Sequence, residues 1–553
     1  MSDITLYPAR TIVTMDPSQP EVEAVAVRDG KVLAAGSFDE CASWGPHEVD
    51  RRFADHVLVP GMIEAHAHSL EGAFSLIPYV GWFDRHRVDG GITPGIRSYD
   101  ALLDRLRELD AETAGSRDPI VVGGFDPIYF TDEERLTKDH LDLVSTERPI
   151  FVFHASAHLA TVNSAMLERH DITRDSTTPG VARDAAGEPN GELQEIPAIA
   201  LAMSGLEVIL QMMNDPRAID ALGQICANTG TTMLCDLAAS GLSRPGGQEV
   251  WHDVVDRDDY PARILQRHVQ ALPAGSSDWA DAAELMLQLA AGDTDKLRTA
   301  GLKLVLDGSI QGFTAKMAWP GYYRGSDHGQ WMVPPDQLVD ICRPFHERNI
   351  NIHAHCNGDL TIDAWIDTVE QLVIESPWLD HRHTVQHCQL TSAAQYRRMA
   401  KLGMCGNIFA NHLWYWGDQH REITVGPERA RRMEAAATAE REGVSFSLHS
   451  DANVTPLGHL HTMWCAVNRI TPSGRVLGEH ERISAHSALR AVTLGSAYQM
   501  HLDAEFGTIE CGKAADFTVL EENPLTVDPM AIRDIRVWGT VVGGRPFEAA
   551  HPR

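Results

Sequence analysis

Short apolar runs recur through the middle of the chain, each followed by residues with helical spacing. That alternation predicts parallel strands joined by crossover helices. Eight strand candidates surround Val59–Ala65, Thr232–Asp236, Arg263–Val269, Leu302–Leu306, Ile350–His355, Thr384–His387, Cys405–Phe409 and Val444–His449. Eight such units predict an α/β fold of the (β/α)8 TIM-like barrel type. Ile362, Ile366, Val369 and Val373 recur at helical intervals and predict a helix behind the fifth strand, and Ala430 to Glu442 predicts one before the eighth.

The flanks have a different texture. Thr11–Met15, Ala24–Val27 and Lys31–Gly36 read as strands, as do Gly507–Ile509, Ala515–Leu520 and Val537–Val542. Residues 1–58 and 505–553 are therefore expected to pair into one small β-domain, with the barrel occupying 59–504. The first connection, about 70–225, is too long for a simple βα loop. Pro119–Gly124 and Pro149–Phe153 read as buried strands within it, so it is expected to be a structured insertion near the barrel mouth.

Polar residues that interrupt these runs carry the chemistry. His66 and His68 close the first strand two residues apart, so both imidazoles point to one side. His355, His387 and Asp451 close later strands, and catalytic groups of a barrel sit at strand C-terminal ends. Four imidazoles and a carboxylate suit one or two divalent ions, with Zn²⁺ first and Mn²⁺ as the other candidate. Lys303 lies inside an apolar strand, where an ammonium is costly. Its carbamate, formed with CO2, would bridge two metals, whereas a snorkelling lysine or a plain ion pair would not.

Composition narrows the setting. A 43% hydrophobic fraction permits a large core, and 47 Lys+Arg against 77 Asp+Glu leave a net charge of −30. Such a chain is a poor match for nucleic acid or an anionic membrane, so a small-molecule substrate is expected. Nine cysteines without paired spacing argue against a disulfide framework. Met1–Ile4 lacks a basic n-region, and no apolar run approaches the roughly 20 residues of a membrane span. A cytoplasmic location is expected, and homo-oligomerisation stays open. Aromatic residues crowd the loops after strands four and seven. Trp319, Tyr322, His412, Trp414 and Trp416 there, with Phe125 from the insertion, are the substrate-binding candidates.

The chain resembles the amidohydrolase superfamily, and more narrowly its amidohydrolase-3 branch, which contains N-substituted formamide deformylases. Pro60–His68 resembles the Pro-Gly-hydrophobic-His-x-His motif, with Glu64 where Asp is commoner. Gly124-Phe125-Asp126, His158 followed by Asn163-Ser164, Lys303 to Thr314, His355–Asp359 and Gly512–Asp516 resemble further motifs in order. The resemblance implies that a β-sandwich-like domain built from both chain ends caps the barrel, that His66, His68 and Asp451 hold one metal, that His355 and His387 hold a second, and that carbamylated Lys303 bridges them. Gln386 stands where the family often has Glu. A metal-dependent amidohydrolase acting on an aryl or hydrophobic N-substituted amide or formamide is the expected activity. Asp451 is expected as general base, and His158 as the donor facing the oxyanion. Deamination, ester or lactone cleavage and decarboxylation are the alternatives on the same centre, with a non-catalytic binding protein behind them.

Overall fold

The computed structural model describes residues 4–551, excepting 132, 240, 241, 243–245, 270–277, 326 and 327. Eight parallel strands form its centre. They are β1 (Met62–Ala67), β2 (Thr231–Asp236), β3 (Arg263–Val269), β4 (Leu297–Val305), β5 (Ile352–Cys356), β6 (Thr384–His387), β7 (Cys405–Ile408) and β8 (Ser445–Leu448). Each lies beside the next in chain order. A parallel bridge between Ala67 and Ala452 brings β1 against the chain just past β8. The result is a nearly closed TIM-like barrel.

Strand alternation divides the residues between core and site. On β4, Leu302 and Leu304 join the outer core with Leu338 and Phe345 of the helix Leu338–His346. On β5, Ile352, Ala354 and Cys356 pack against Ile362, Trp365, Ile366 and Val369 of the helix Asp359–Glu375. The intervening Lys303, His353 and His355 consequently face the opposite way, into the barrel. All three are buried.

Two expected elements around the barrel differ. Val57–Pro60 is a strand of its own, separate from β1, and pairs antiparallel with Phe517–Leu520. Gly61 lies at the break, packed so closely on Thr232 that a Cβ there would collide with it. The helix expected over Ala430–Glu442 is two short ones, Gly426–Ala430 and Ala436–Glu442. Between them the Met433 and Glu434 carbonyls turn to the buried Arg469 guanidinium (2.7 and 2.8 Å) rather than to a helical N–H.

Segments from both flanks share one eight-stranded sheet, comprising Ile4–Val13, Glu21–Arg28, Lys31–Gly36, His47–Val49, Val57–Pro60, Phe517–Leu520, Val537–Val542 and Arg545–Glu548. Gly507–Ile509 lies outside it as an irregular segment, tied by Ile509 N to Thr14 O (2.8 Å). The insertion carries its own five-stranded sheet, which includes Ile120–Phe125, Ile150–His154, Leu159–Val162 and Pro189–Gln194. Glu195–Met212 continues from it as 18 helical residues of mean hydropathy 1.4, which are long and apolar enough to span a bilayer by length and composition. That corrects the reading that no run approaches such a length. Ala198, Ile199, Ala202 and Ile209 of this stretch pack with Phe151 and Phe153 in the insertion's core. All nine cysteines are free thiols.

Candidate metal centre

β1 aims His66 and His68 at the barrel mouth, where the turn after β8 presents Asp451. His66 Nε2 lies 3.4 Å and His68 Nε2 3.2 Å from the same Asp451 oxygen, Oδ1. Lys303 Nζ stands 3.2 Å from His66 Nε2. His355 Nδ1 and His387 Nε2 face each other at 2.8 Å, and His387 Nδ1 is 3.6 Å from Asp451 Oδ2. The six side chains expected from the sequence to bind metal are thus brought together.

Their surroundings favour a cation. Asp451 Oδ1 and His387 Nδ1 are buried and have no hydrogen-bond partner. Ligand atoms of His66, His68 and Asp451 all lie within 4.8 Å of one another. Burial pulls His66, His355 and His387 well below the usual histidine value, with neighbouring cations adding to it. Neutral imidazoles keep a lone pair for a metal. Burial works against the Asp451 carboxylate, yet His68, His449 and Lys303 around it hold it below the usual range. Desolvation lowers Lys303 to about 7, so a neutral amine is accessible near physiological pH. Asp451 and His387 also adopt φ of +53° and +74°, a left-handed backbone of the kind that concentrates at functional sites.

A polar layer beneath orients these groups. Gln386 Oε1 accepts from His66 Nδ1 (2.6 Å) and from Asn407 Nδ2 (2.9 Å), while its Nε2 donates to His353 Nδ1 (2.7 Å). With the Nδ1 proton engaged, His66 is left with Nε2 for the metal, so the neutral amide at 386 still fixes the tautomer. Glu64, driven to about 8 by burial, accepts from Ser450 Oγ (2.6 Å) and ties β1 to the residue before Asp451. Burial likewise raises Asp307 to about 7, although it accepts from Asn357 N, Gly358 N, Lys316 N and Thr361 Oγ1.

His158 arrives from the insertion, with its ring 5.0 Å from that of His355. Burial lowers it, but the Glu195 carboxylate at 2.6 Å outweighs burial and holds the imidazole above its usual value. Sequence reading missed Glu195, whose partner lies 37 residues away. It also missed His449, which stacks on His66 (4.6 Å, 13°) with neither ring nitrogen hydrogen-bonded. The i, i+2 spacing to Asp451 was the available signal.

The aromatic candidates scatter. Phe125 is wholly buried against Phe130 and His154, which makes it a core residue of the insertion. Tyr322 is also buried, with its hydroxyl donating to Ala315 O (3.1 Å). Trp319 stands 88% exposed. Trp414 packs edge-on against Trp464 and under the Arg533 guanidinium. These placements are packing or solvent positions, because loop aromatics cover hydrophobic surface as readily as they line a pocket. Trp416 and His412 lie nearer the chemistry. Trp416 Nε1 donates to Asp126 Oδ2 (2.8 Å), and His412 packs on Trp416 and on Phe409, which in turn stacks on His449. Trp416 also lines a cleft with Tyr79, Trp82, Phe83, Tyr129, Tyr415 and Asn453, the last two residues beyond Asp451.

Residues 54–547 match the model of the amidohydrolase family. The chain belongs to that family. It is 25% identical over 562 residues to the N-substituted formamide deformylase of Arthrobacter pascens, covering 98% of each chain. In fold it is similar to an uncharacterized metal-dependent hydrolase from Pyrococcus horikoshii (TM-score 0.69, 19% identity, 95% and 99% of the two chains). It is also similar to an adenosine deaminase from Xanthomonas campestris with bound zinc (TM-score 0.54, 14% identity, 100% and 94%). Family membership makes this a metal-dependent hydrolase of C–N bonds other than peptide bonds.

Proposed function

We propose that the enzyme hydrolyses a small N-substituted amide or formamide bearing an aryl or other hydrophobic group, with Zn²⁺ at the centre. The convergence of His66, His68 and Asp451 beside Lys303, His355 and His387 carries this reading. A nitrogen-rich set with one carboxylate suits Zn²⁺. The end-to-end likeness to a formamide deformylase points the same way.

When bound, the metal supplies Lewis acidity to the substrate carbonyl and an activated water. Asp451 takes the proton of the attacking water and returns it to the leaving nitrogen. His66 and His68 hold their rings for the cation, and Gln386 keeps His66 in the tautomer that does so. His158, with Nδ1 committed to Glu195, offers its other nitrogen to the carbonyl oxygen as negative charge develops.

A panel of aryl and alkyl formamides, acetamides, matching esters and aminopurines tests the reading, with amine release followed. The amides should turn over fastest. Ammonia from an aminopurine at higher kcat/KM would overturn the substrate class.

Lys303 gives a separate prediction. Its neutral amine adds to CO2, forming an N–C bond and releasing one proton. Because only the unprotonated amine reacts, bicarbonate-dependent activation of metal-stripped enzyme should increase as pH rises through about 7. Activation that ignores bicarbonate at every pH would leave Lys303 as a plain amine.

A further inference from the structure

His158 and Glu195 are joined twice. Glu195 N donates to His158 O (2.7 Å), and His158 Nδ1 donates to Glu195 Oε2 (2.6 Å). The backbone bond continues the antiparallel ladder in which Leu159 pairs with Gln194, so the two residues leave neighbouring strands at one level. Glu195 holds φ +66°, a conformation that a glutamate adopts only when its surroundings impose it. Its carboxylate is buried, and Oε1 has no hydrogen-bond partner. That oxygen packs over Gly308, where any Cβ would collide with it. Gly308 O in turn accepts from Asn357 Nδ2 (2.9 Å) and faces His355 Nε2 (3.3 Å). The pair is therefore wedged between the insertion and the metal centre.

Engaging Nδ1 leaves Nε2 as the free nitrogen of a ring that stands against His355 and keeps 15% of its side-chain surface open. A carboxylate used only to hold the insertion would not need this imidazole, because the backbone bond already joins the strands.

We propose that Glu195 is a positioning residue for the reaction, fixing the His158 imidazole so that Nε2 faces the substrate at the metal centre. The proposal rests on the hydrolytic reading above. It extends that reading by making the insertion, and not only the barrel, a supplier of transition-state contacts.

Crystal structures and kinetics of Glu195→Ala, Glu195→Gln, His158→Ala and the Glu195→Ala/His158→Ala double variant test it. Glu195→Ala should lose about 10- to 100-fold in kcat, the range typical of lost orienting partners. KM and metal content should change little, and the His158 ring should turn from its wild-type orientation. Glu195→Gln still accepts from Nδ1, so ring and most of kcat should return. The double variant should fall no further than His158→Ala, because the two side chains act as one unit. Additive losses, or an unmoved ring in Glu195→Ala, would overturn the proposal. Should Glu195→Ala not fold, Glu195→Asp reads the same point, since its shortened carboxylate withdraws from Nδ1. If the wild-type enzyme cleaves no C–N substrate, the hydrolytic reading fails, while ring orientation in the variants still decides the role of Glu195.

Discussion

Asp451→Asn should lower kcat by ~10²–10⁴, the usual contribution of a positioned acid–base group. The water needs a proton acceptor and the leaving nitrogen a donor, and one carboxylate serves both in turn. Neighbouring imidazoles and Lys303 hold Asp451 ionised, despite burial, at neutral pH. The substitution is conservative in every other respect. Asn is nearly isosteric, and it is among the few residues that tolerate φ near the +53° found here. An amide oxygen can still face the cation, so metal content should stay near wild type by elemental analysis. The steep loss should appear in kcat, with substrate binding largely kept. A fully metallated Asp451→Asn enzyme that turns over at the wild-type rate would move the base elsewhere, with His412 next to be tested.

Stripping the metal should have the larger effect still. Chelated enzyme should fall to background, and Zn²⁺ or Mn²⁺ should restore it, because an uncoordinated water is a poor nucleophile at neutral pH. A second readout needs no substrate. Metal that binds only the folded state stabilises it by about 2.7 kcal/mol at a free concentration a hundred times Kd. The melting temperature of stripped protein should therefore climb with added Zn²⁺, and His66→Ala should flatten that climb. Full activity in protein proven metal-free would refute the centre altogether.

The sequence displayed the barrel and the six side chains that meet at its mouth for one reason. Strand alternation writes inward-facing residues at i and i+2, so His66 and His68 stand out against the apolar residues around them, and Asp451 closes a later apolar run. Contacts across the chain leave no such trace. Glu195 matters only because the ladder places it beside His158, and Gln386, visible in the sequence as a departure from the family motif, gave no sign of the bond it makes to His66, 320 residues away. The mouth aromatics misled for a related reason. Phe125 in the insertion and Tyr322 in the loop after β4 sit beside the site by sequence, but their rings close small cores, and composition alone does not separate the two uses. The strand Val57–Pro60 merged with β1 in the sequence pattern, since both are apolar and a single glycine separates the segment that pairs in the flank sheet from the one that pairs in the barrel.

The pairing of Val57–Pro60 with Phe517–Leu520 also sets a timetable. The strand that leads directly into His66 and His68 has one partner upstream, Ile4–Val13, and its other partner more than 450 residues downstream, where Met62 N also donates to Thr518 Oγ1 across 456 positions. A ribosome adding about 5–20 residues per second needs on the order of half a minute to a minute and a half to make that stretch. Throughout that interval β1 can meet its barrel neighbours as they emerge, but its entry into the barrel is held on one side only, by Ile4–Val13. Metal captured on the nascent chain would thus meet a half-built cradle, and the centre should mature only after synthesis has passed residue 520. Pulse-labelled chains released before and after that point should differ in protease resistance around His66 and His68.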